Sequence, residues 1–395
     1  MFSKINSVIR PGDIIDIHVH VGGPENENPA MYYWTDEFKR SLSFEAIKFV
    51  TRLSQTQVTG PRYISTLYSQ IKHSKYVDKI VLLALDQVYT EDGQLDQSHS
   101  HLFVSNEYIA HLAQMYEKFL FGCSVHPYAP DAIERLWWCA ESGAVLCKWI
   151  PSSQSIDPTH PLSRRFYRTL ATLNLPLLLH VGPEEAIPSG LPKRDALRFN
   201  SAAGNYAQEP GDAIQMALDE GATIIVAHAA TPLGPILDPE NDYWESVFTT
   251  LIQRAKALET GTRLYADMSA FCLPGRYKYI RKIMPFIKEH PHRFYLGSDY
   301  PIPIISFNDG KALQNILEAF GWLASRALPS NDFDKNYRLL RHHFSEECFK
   351  HAPDALRNPQ QDVLPLRKVA HRIGIRLPGE RLFSLRRWMH PKVDD

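Results

Sequence analysis

Four short segments of the chain end in histidine or aspartate residues that could bind a divalent metal ion. They are Asp16-Ile17-His18-Val19-His20, Leu179-His180-Val181, Ala227-His228-Ala229 and Gly297-Ser298-Asp299-Tyr300-Pro301. Because side chains two residues apart on a β-strand point to the same side, His18 and His20 can bind one cation from a single strand. Three neutral imidazoles and one carboxylate suit a borderline divalent ion such as zinc, with an open coordination position for water. The combination predicts an enzyme.

Eight short apolar runs recur along the chain, each followed by a longer segment whose apolar residues have helical spacing. They span residues 13–21, 79–88, 119–126, 143–150, 175–181, 222–229, 263–271 and 293–299. Parallel strands need crossover connections, and eight strands alternating with helices can close into a (β/α)8 TIM barrel. An open doubly wound sheet is the competing α/β fold, but no Gly-x-Gly-x-x-Gly turn follows a strand. We therefore expect a TIM barrel whose C-terminal mouth gathers the polar strand ends.

A long insertion follows the first predicted strand, over residues 22–75. It contains Tyr32, Tyr33 and Trp34 in a Pro- and Asn-rich context. These aromatic residues could form a lid or pocket wall over the mouth, or they could pack the insertion against the rim of the barrel. Both interpretations stay open at this point.

The end of the chain differs in character from the rest. From Arg357 onward, nine Lys and Arg residues stand against four acidic residues. We expect residues 1–355 to form the barrel and residues 356–395 to form a basic C-terminal extension. Apolar residues interleave the arginines, and Pro365 and Pro378 interrupt any long helix, which favours packing on the barrel or on a partner subunit over polyanion binding. A homo-oligomer is therefore considered.

Composition excludes several classes of protein. The chain has 395 residues, of which 44% are hydrophobic and 22% charged, which is typical of a globular protein with a sizeable core. A net charge of -1 gives no overall attraction to nucleic acid or membrane, so neither partner is expected. The five cysteines form no Cys-x-x-Cys pair, and neither a signal peptide nor a membrane span is recognised. These features predict a cytoplasmic protein.

With these motifs, the chain resembles the amidohydrolase superfamily, and within it the amidohydrolase-related branch that includes aminocarboxymuconate semialdehyde decarboxylase. The resemblance covers roughly residues 12–350 as a single barrel. The positions that carry it are His18-Val19-His20, Lys148, His180, His228 and Gly297-Ser298-Asp299-Tyr300-Pro301. Residues 121–127, 156–158 and 266–269 are also similar to the family.

The resemblance implies that His18, His20, His180 and Asp299 bind one divalent metal, with Zn2+ favoured, while His228 lies beside the open coordination position. A bound cation lowers the pKa of water from ~15.7 towards ~7, and Asp299 can then take the proton. His228 could polarise a substrate carbonyl or stabilise the charge that develops on it. Asp299 and His228 are therefore the predicted catalytic residues.

Four residues are predicted to contact the substrate: Lys148, His126, Arg276 and Trp34. In some relatives a lysine at the end of the fourth strand is carbamylated and bridges two metals, whereas the mononuclear branch does not need it. An unmodified Lys148 would instead present a positive charge to a substrate carboxylate. His126 either lines the pocket or caps the third strand. Asp16 lies one layer deeper and is expected to orient a histidine or to pair with a buried cation.

Two enzymatic hypotheses follow from these residues. The first is a metal-dependent hydrolase that cleaves an amide, ester or lactone bond of a small organic acid through a metal-activated water. The alternative is a metal-dependent nonoxidative decarboxylase of an unsaturated or aromatic acid, which the same ligands would support. A barrel that has lost catalysis and acts as a scaffold is the third hypothesis, and retention of every ligand argues against it. Basic residues on the mouth loops point to an anionic small-molecule substrate.

Overall fold

The computed structural model describes residues 8–22, 31–180, 187, 212–231, 263–273, 276–304 and 331–358. The β-strands in these ranges are β1 (Ile15–His20), β2 (Tyr32–Trp34), β3 (Lys79–Leu83), β4 (Val88–Tyr89), β5 (Leu95–Asp96), β6 (Leu102–Val104), β7 (Phe119–Cys123), β8 (Ala144–Trp149), β9 (Leu177–Leu179), β10 (Ile224–Val226), β11 (Leu264–Asp267) and β12 (Phe294–Tyr295). Eight of them form one parallel sheet, in the order β1-β3-β7-β8-β9-β10-β11-β12. Each of the eight lies inside one of the predicted apolar runs.

The helices of the same ranges connect the strands. They are α1 (Asp36–Lys39), α2 (Leu42–Thr51), α3 (Gln55–Val58), α4 (Arg62–Lys72), α5 (Asn106–Met115), α6 (Ala132–Glu141), α7 (Pro151–Gln154), α8 (Pro161–Thr172), α9 (Asp212–Asp219), α10 (Tyr277–Glu289), α11 (Asp332–Arg341), α12 (Glu347–Lys350) and α13 (Ala352–Ala355). Helices such as α5, α6 and α8 carry the chain from one parallel strand to the next, as a crossover connection requires. They also bury one apolar stripe each, such as Phe166, Tyr167 and Leu170 of α8.

The first and last segments of the sheet meet and close the ring. Val19 forms a parallel bridge with Tyr300, and the backbone N–H of His20 donates to the carbonyl of Tyr300 over 2.8 Å. The N–H of Ile17 donates to the carbonyl of Leu296 over 2.9 Å. Together with the strand order, these bonds confirm the predicted (β/α)8 TIM barrel.

Apolar residues fill the barrel from inside and cover it from outside. The inner cluster unites Ile17 of β1, Leu120 of β7 and Leu178 of β9, which lie on strands that are not neighbours in the sheet, so it occupies the barrel interior. The outer cluster packs the alternate strand residues against the helices. A strand that is buried on both faces reads as a continuous apolar run, which is why the strands were recognisable in the sequence.

The described residues of the predicted insertion form four helices and one short strand between β1 and β3. Thr35 and Ser41 cap the first two helices, because their side-chain oxygens accept hydrogen bonds from the backbone N–H groups three residues later. β2 pairs antiparallel with β6, which anchors the insertion to the segment that follows β3. The described part of the insertion is therefore folded and attached to the rest of the barrel.

Barrel packing continues two residues past the predicted domain boundary at residue 355. Leu356 belongs to the inner apolar cluster. The backbone N–H of Arg357 donates to the carbonyl of Val145 over 3.0 Å, and its guanidinium donates to the carbonyls of Ala140 and Ala144. The rest of the predicted extension lies outside the described residues, so the proposed division into two parts stays a prediction. No helix in the described ranges is both long enough and apolar enough to cross a bilayer.

Candidate metal centre

The predicted chemical residues come together at one end of the barrel. In a parallel barrel all the strands point the same way, so their C-terminal ends meet at one mouth. His18 and His20 lie on β1 and Lys148 lies on β8. The remaining predicted residues of the centre, His180, His228 and Asp299, follow β9, β10 and β12. The residues of the sequence motifs therefore lie at the C-terminal ends of the strands.

Three donor atoms form a compact group at this mouth. His18 Nε2 lies 3.2 Å from His20 Nε2 and 3.4 Å from Asp299 Oδ1, and His20 Nε2 lies 3.2 Å from Asp299 Oδ1. His18 and Asp299 are buried, whereas 26% of the His20 side chain is exposed. Two imidazole nitrogens and one carboxylate oxygen are thus gathered, and one of the three side chains is partly exposed.

A divalent cation fits this group on the chemistry of its donors. The ring of His18 donates from Nδ1 to Asp267 Oδ2 over 2.8 Å, so Nε2 carries the lone pair that faces His20 and Asp299. In the part of the chain that the structure describes, His18, His20 and Asp299 are the group of at least three potential ligands whose atoms all lie within 4.8 Å of one another. Imidazole and carboxylate donors suit zinc and similar divalent ions.

The charge state of Asp299 suits a ligand. Burial raises the pKa of a carboxyl group, but His18, His20 and Lys148 stabilise the carboxylate and hold the pKa of Asp299 far below its usual value. Its backbone adopts a left-handed conformation with φ 59°, and its N–H donates to the carbonyl of His18 over 2.9 Å. The side chain is therefore a fixed anion beside the two histidines.

Gly297 allows the close approach of neighbouring strands beneath Asp299. A Cβ atom at this position would lie 2.9 Å from the Cβ of Ser269 and 3.2 Å from the Cβ of His18. Both distances are shorter than normal carbon contacts, so a larger residue would push β1 or β11 away from the last strand. The Gly-Ser-Asp order of the motif thus has a steric reason.

Asp16 holds the backbone next to the donor group. Its Oδ1 accepts from the N–H of His18 over 3.1 Å and from the N–H of Ser298 over 3.0 Å. Burial raises the pKa of Asp16 to about 7, although both of these residues stabilise the carboxylate. The register of β1 against β3 shifts between Asp16 and Val19, which lets Ile17 pack in the inner cluster while His18 joins the donor group.

His180 and His228 form a second pair of imidazoles. His180 Nδ1 lies 3.1 Å from His228 Nε2, and both residues are buried. His180 is not in the compact three-residue group, so its predicted place as a fourth metal ligand stays a prediction. Burial, reinforced by Lys148 and Arg276, lowers the pKa of His180 to about 3 and that of His228 well below its usual value, so both rings are neutral.

The backbone at His228 is held in an uncommon conformation. His228, Ala229 and Ala230 all have positive φ, at 39°, 49° and 54°. Each costs free energy in a residue with a Cβ, so the surrounding contacts must hold the turn in place. The N–H of His228 donates to Asp267 Oδ1 over 2.6 Å, and its carbonyl accepts from the hydroxyl of Thr231 over 2.7 Å.

Two cationic side chains lie beside the histidines. Lys148 is 1% exposed, and its Nζ lies 3.2 Å from His18 Nε2. Arg276 is 4% exposed and donates from Nη1 to the carbonyl of Thr231 over 2.6 Å. Thr231 in turn donates from its hydroxyl to the carbonyl of His228. The predicted contact of Lys148 and Arg276 with a substrate stays a prediction.

The other two predicted substrate contacts have different surroundings. His126 Nε2 lies 2.8 Å from the carbonyl of Gln154, and His126 Nδ1 accepts from the N–H of Tyr128 over 3.2 Å. Both ring nitrogens therefore bind backbone groups, which favours the alternative that His126 caps its strand. Trp34 is buried in the outer cluster, stacked on Phe38, which favours packing over a pocket wall.

Three further residues of the site were not predicted. Asp267 joins His18 to His228, Ser269 donates to Asp267 Oδ1 over 2.6 Å from its hydroxyl, and Tyr63 Oη donates to the carbonyl of His20 over 2.9 Å. The segment Ala266-Asp267-Met268-Ser269 was noticed as similar to the family, and an acidic residue within the apolar run at residues 263–271 is the signal that could have identified Asp267. No sequence signal points from Tyr63 to His20.

Comparison with known proteins gives a consistent but distant similarity. No family model matches the chain, and neither does the sequence of any curated protein. Among solved structures, a probable 2-pyrone-4,6-dicarboxylic acid hydrolase from Acinetobacter baumannii shares 14% identity over 85% of this chain and 95% of its own, with a TM-score of 0.47. A 5-carboxyvanillate decarboxylase from Sphingomonas paucimobilis shares 13% identity over 84% of this chain and 99% of its own, with a TM-score of 0.38.

A dihydroorotase from Saccharomyces cerevisiae is also similar, with 12% identity over 88% of this chain and 86% of its own and a TM-score of 0.39. At this level of identity and TM-score, the activities of these proteins are not transferred to the present chain.

Proposed function

We propose that the protein is a metal-dependent hydrolase of the amidohydrolase superfamily, which cleaves an amide, ester or lactone bond of a small organic acid. The observation that carries the proposal is the convergence of His18 Nε2, His20 Nε2 and Asp299 Oδ1 at the barrel mouth, where the His20 side chain is partly exposed. Such a group matches a catalytic metal site, which keeps a coordination position open for water or substrate.

A divalent metal, in this proposal Zn2+, would be held by His18, His20 and Asp299, with His180 as the remaining ligand. When bound, it would supply a Lewis acid and lower the pKa of a water molecule towards ~7. The neighbours of Asp299 keep its side chain in the anionic form, which is the form that a metal ligand or a general base needs. A carboxylate within reach of the reacting water is suited to general-base catalysis.

His228 would act on the substrate. Its ring is neutral and buried, and its strained turn is held by Asp267 and Thr231, so the imidazole has a defined direction. A neutral imidazole with a proton on one nitrogen can donate a hydrogen bond to a carbonyl oxygen and stabilise the negative charge that develops there. The role requires that ring to reach the substrate, which is consistent with its place beside His180.

Lys148 and Arg276 would select for an anionic substrate. Both cationic side chains are buried: Lys148 lies beside His18, and Arg276 contacts Thr231, which in turn contacts His228. Because a buried positive charge is unfavourable unless an anion is near it, a substrate carboxylate would bind here more strongly than a neutral group. A nonoxidative decarboxylase would use the same cations for the carboxylate that leaves, so it is the alternative that the experiment must distinguish.

The test combines metal analysis with product analysis. Purified protein is loaded with Zn2+ and incubated with a lactone carboxylate, a monoester of a dicarboxylic acid, an N-acyl amino acid and an aromatic hydroxy acid. Hydrolysis of the lactone adds one water to the substrate mass, and hydrolysis of the ester or the amide gives two products whose masses add up to the substrate plus one water. Decarboxylation instead removes one carbon dioxide, and mass spectrometry separates these outcomes. We expect water addition with wild type and none with His18→Ala. Carbon dioxide release would favour the alternative, and failure to bind any divalent metal would overturn both.

A further inference from the structure

One carboxylate connects the two halves of the site. Asp267 stands at the end of β11 and is fully buried. Its Oδ2 accepts from His18 Nδ1 over 2.8 Å. Its Oδ1 accepts from the N–H of His228 over 2.6 Å, and from the N–H and the hydroxyl of Ser269 over 3.0 and 2.6 Å. The two oxygens therefore bind different partners: Oδ2 binds His18 of β1, and Oδ1 binds His228 and Ser269, which follow β10 and β11.

The first oxygen determines which nitrogen of His18 is available. A carboxylate accepts hydrogen bonds and cannot donate one, so the proton of a neutral His18 ring must lie on Nδ1. With the proton on Nδ1, the lone pair of Nε2 faces His20 and Asp299.

The second oxygen holds the turn that carries His228. Three consecutive residues with positive φ make this turn unfavourable by itself, and a short hydrogen bond to the N–H of His228 opposes its relaxation. Ser269 supports that oxygen with two further hydrogen bonds. A displacement of the carboxylate would therefore move both the backbone of His228, and with it the side chain, and the ring of His18.

We propose that Asp267 is the positioning residue of the site, which fixes His18 for metal binding through one oxygen and His228 for its place beside the substrate through the other. The inference rests on the proposed function for the meaning of the two histidines, but its contacts do not depend on the substrate. It predicts that the two effects can be separated by changing the two oxygens independently.

Asp267→Asn changes one oxygen only. The amide oxygen should keep the position of Oδ1, where the backbone N–H groups of His228 and Ser269 point. In the reverse orientation the amide NH2 would face these two N–H groups, and three donors would meet without an acceptor. The amide NH2 then faces His18 Nδ1, which must give up its proton, and the proton moves to Nε2. Metal binding should weaken by about 10–100-fold, as for other partners of metal-ligating histidines. Asp267→Ala removes both oxygens and should disturb His228 as well.

Two measurements read these effects without any substrate. The affinity for Zn2+ is obtained by competition with a chromophoric chelator. Histidine-selective 15N labelling with long-range proton correlation shows the tautomer of His18 and the ring signals of His228, which are assigned from His18→Gln and His228→Gln. We expect Asp267→Asn to weaken Zn2+ binding and move the His18 proton while leaving the His228 signals in place, and Asp267→Ala to shift both.

Ser269→Ala is the matched control, because it removes one hydrogen bond to Oδ1 and leaves the contact with His18. Its affinity for Zn2+ should stay within about 2-fold of wild type, whereas a variant that loses the hydrogen-bond partner of a metal-binding histidine should bind Zn2+ much more weakly. The proposal is overturned if Asp267→Asn binds Zn2+ like wild type, if Ser269→Ala weakens binding as much as Asp267→Asn does, or if His228 keeps its signals in Asp267→Ala. Wild type that binds no Zn2+ would instead refute the proposed function, while the tautomer measurement would still test the contact of Asp267 with His18.

Discussion

Lys148 Nζ lies 3.2 Å from His18 Nε2, the atom that would bind a metal. Both side chains are buried, and Lys148 contributes to the lowered pKa of His18, after burial itself. An ammonium group at this distance from the ligand atom opposes cation binding by Coulomb repulsion. The chemical state of Lys148 therefore distinguishes two forms of the site. One is a mononuclear centre beside an unmodified lysine, and the other is a binuclear centre in which a carbamylated Lys148 is itself a ligand.

We predict the mononuclear version, and Lys148→Met tests it. Removal of the ammonium should leave one Zn2+ per chain, bound as tightly as in wild type or more tightly, because a repulsive charge is gone. Binding of a carboxylate substrate or product should weaken at the same time. Metal content by elemental analysis and the mass of the peptide that carries Lys148 are the measurements. Two metals in wild type, one in Lys148→Met and an added carboxyl group on the peptide would establish the binuclear version.

His18→Ala should remove the metal. His18 contributes one of the three gathered donor atoms, and its loss leaves a carboxylate and one partly exposed imidazole. We expect Zn2+ content to fall from about one per chain to below a tenth, in agreement with the dependence of such sites on each ligand. His111→Ala, which changes an exposed histidine on α5, is the control and should keep its metal. Full occupancy in His18→Ala would exclude it as a ligand.

His228→Ala should keep the metal and lose turnover. Loss of a group that stabilises developing charge typically lowers kcat by about 10²–10³, with little effect on KM. The experiment uses the acid derivative that wild type hydrolyses, with Zn2+ content measured on the same sample. Loss of metal together with activity would move His228 into the ligand set, beside its neighbour His180.

The strands were predictable from the sequence because of their burial. The run at residues 79–88 contains β3, and the run at residues 119–126 contains β7. The observed strands are shorter than the runs, as the last one shows: β12 is only Phe294–Tyr295 in a run that extends to Asp299. Beyond Tyr295 the backbone turns to place Asp299, and such a turn leaves no periodic signal.

The sequence predicts those contacts of the site that join residues close together along the chain. His18 and His20 share a face because a strand has a period of two residues. Asp267 meets His18 across 249 residues of sequence, a contact that exists only after the ring has closed. His126 shows the opposite case, since its position at a strand end resembled that of the metal ligands while its ring nitrogens bind the backbone of Gln154 and Tyr128.

Stability should fall as the pH is lowered from about 7 to about 4, in part because of His126. Burial lowers the pKa of His126 to about 4 from a usual value of 6.5. In that interval the unfolded chain binds a proton that the folded ring does not, so the free energy of unfolding decreases with falling pH. The contribution of this residue is about 1 kcal/mol per pH unit.

Urea unfolding of wild type and His126→Phe, in the presence of a chelator, measures that contribution. The variant has no titratable ring and loses two hydrogen bonds to the backbone, so it should be less stable at pH 7 and should depend less steeply on pH. Equal slopes for the two proteins between pH 7 and pH 4.5 would show that His126 is not responsible.

The last prediction separates the barrel from the extension that follows it. A chain that ends after Asn358 keeps Leu356 in the inner cluster and keeps the hydrogen bonds of Arg357 to the carbonyls of Ala140, Ala144 and Val145. A chain that ends after Ala355 loses all of these contacts. Loss of one buried leucine costs about 2–5 kcal/mol, and each lost hydrogen bond adds about 1 kcal/mol.

The shorter chain should therefore melt at a clearly lower temperature than the one that ends after Asn358, and Zn2+ content should be unchanged in both, because these residues are remote from the donor group. If residues 359–395 pack on the barrel or on a partner subunit, as the apolar residues among their arginines suggest, the chain that ends after Asn358 should also melt below the full-length protein or change its mass in solution. Calorimetry and light scattering measure both effects. If the chain that ends after Asn358 has the same melting temperature and mass in solution as the full-length protein, but binds a polyanion such as heparin more weakly and in a salt-dependent manner, the extension would be assigned to polyanion binding instead.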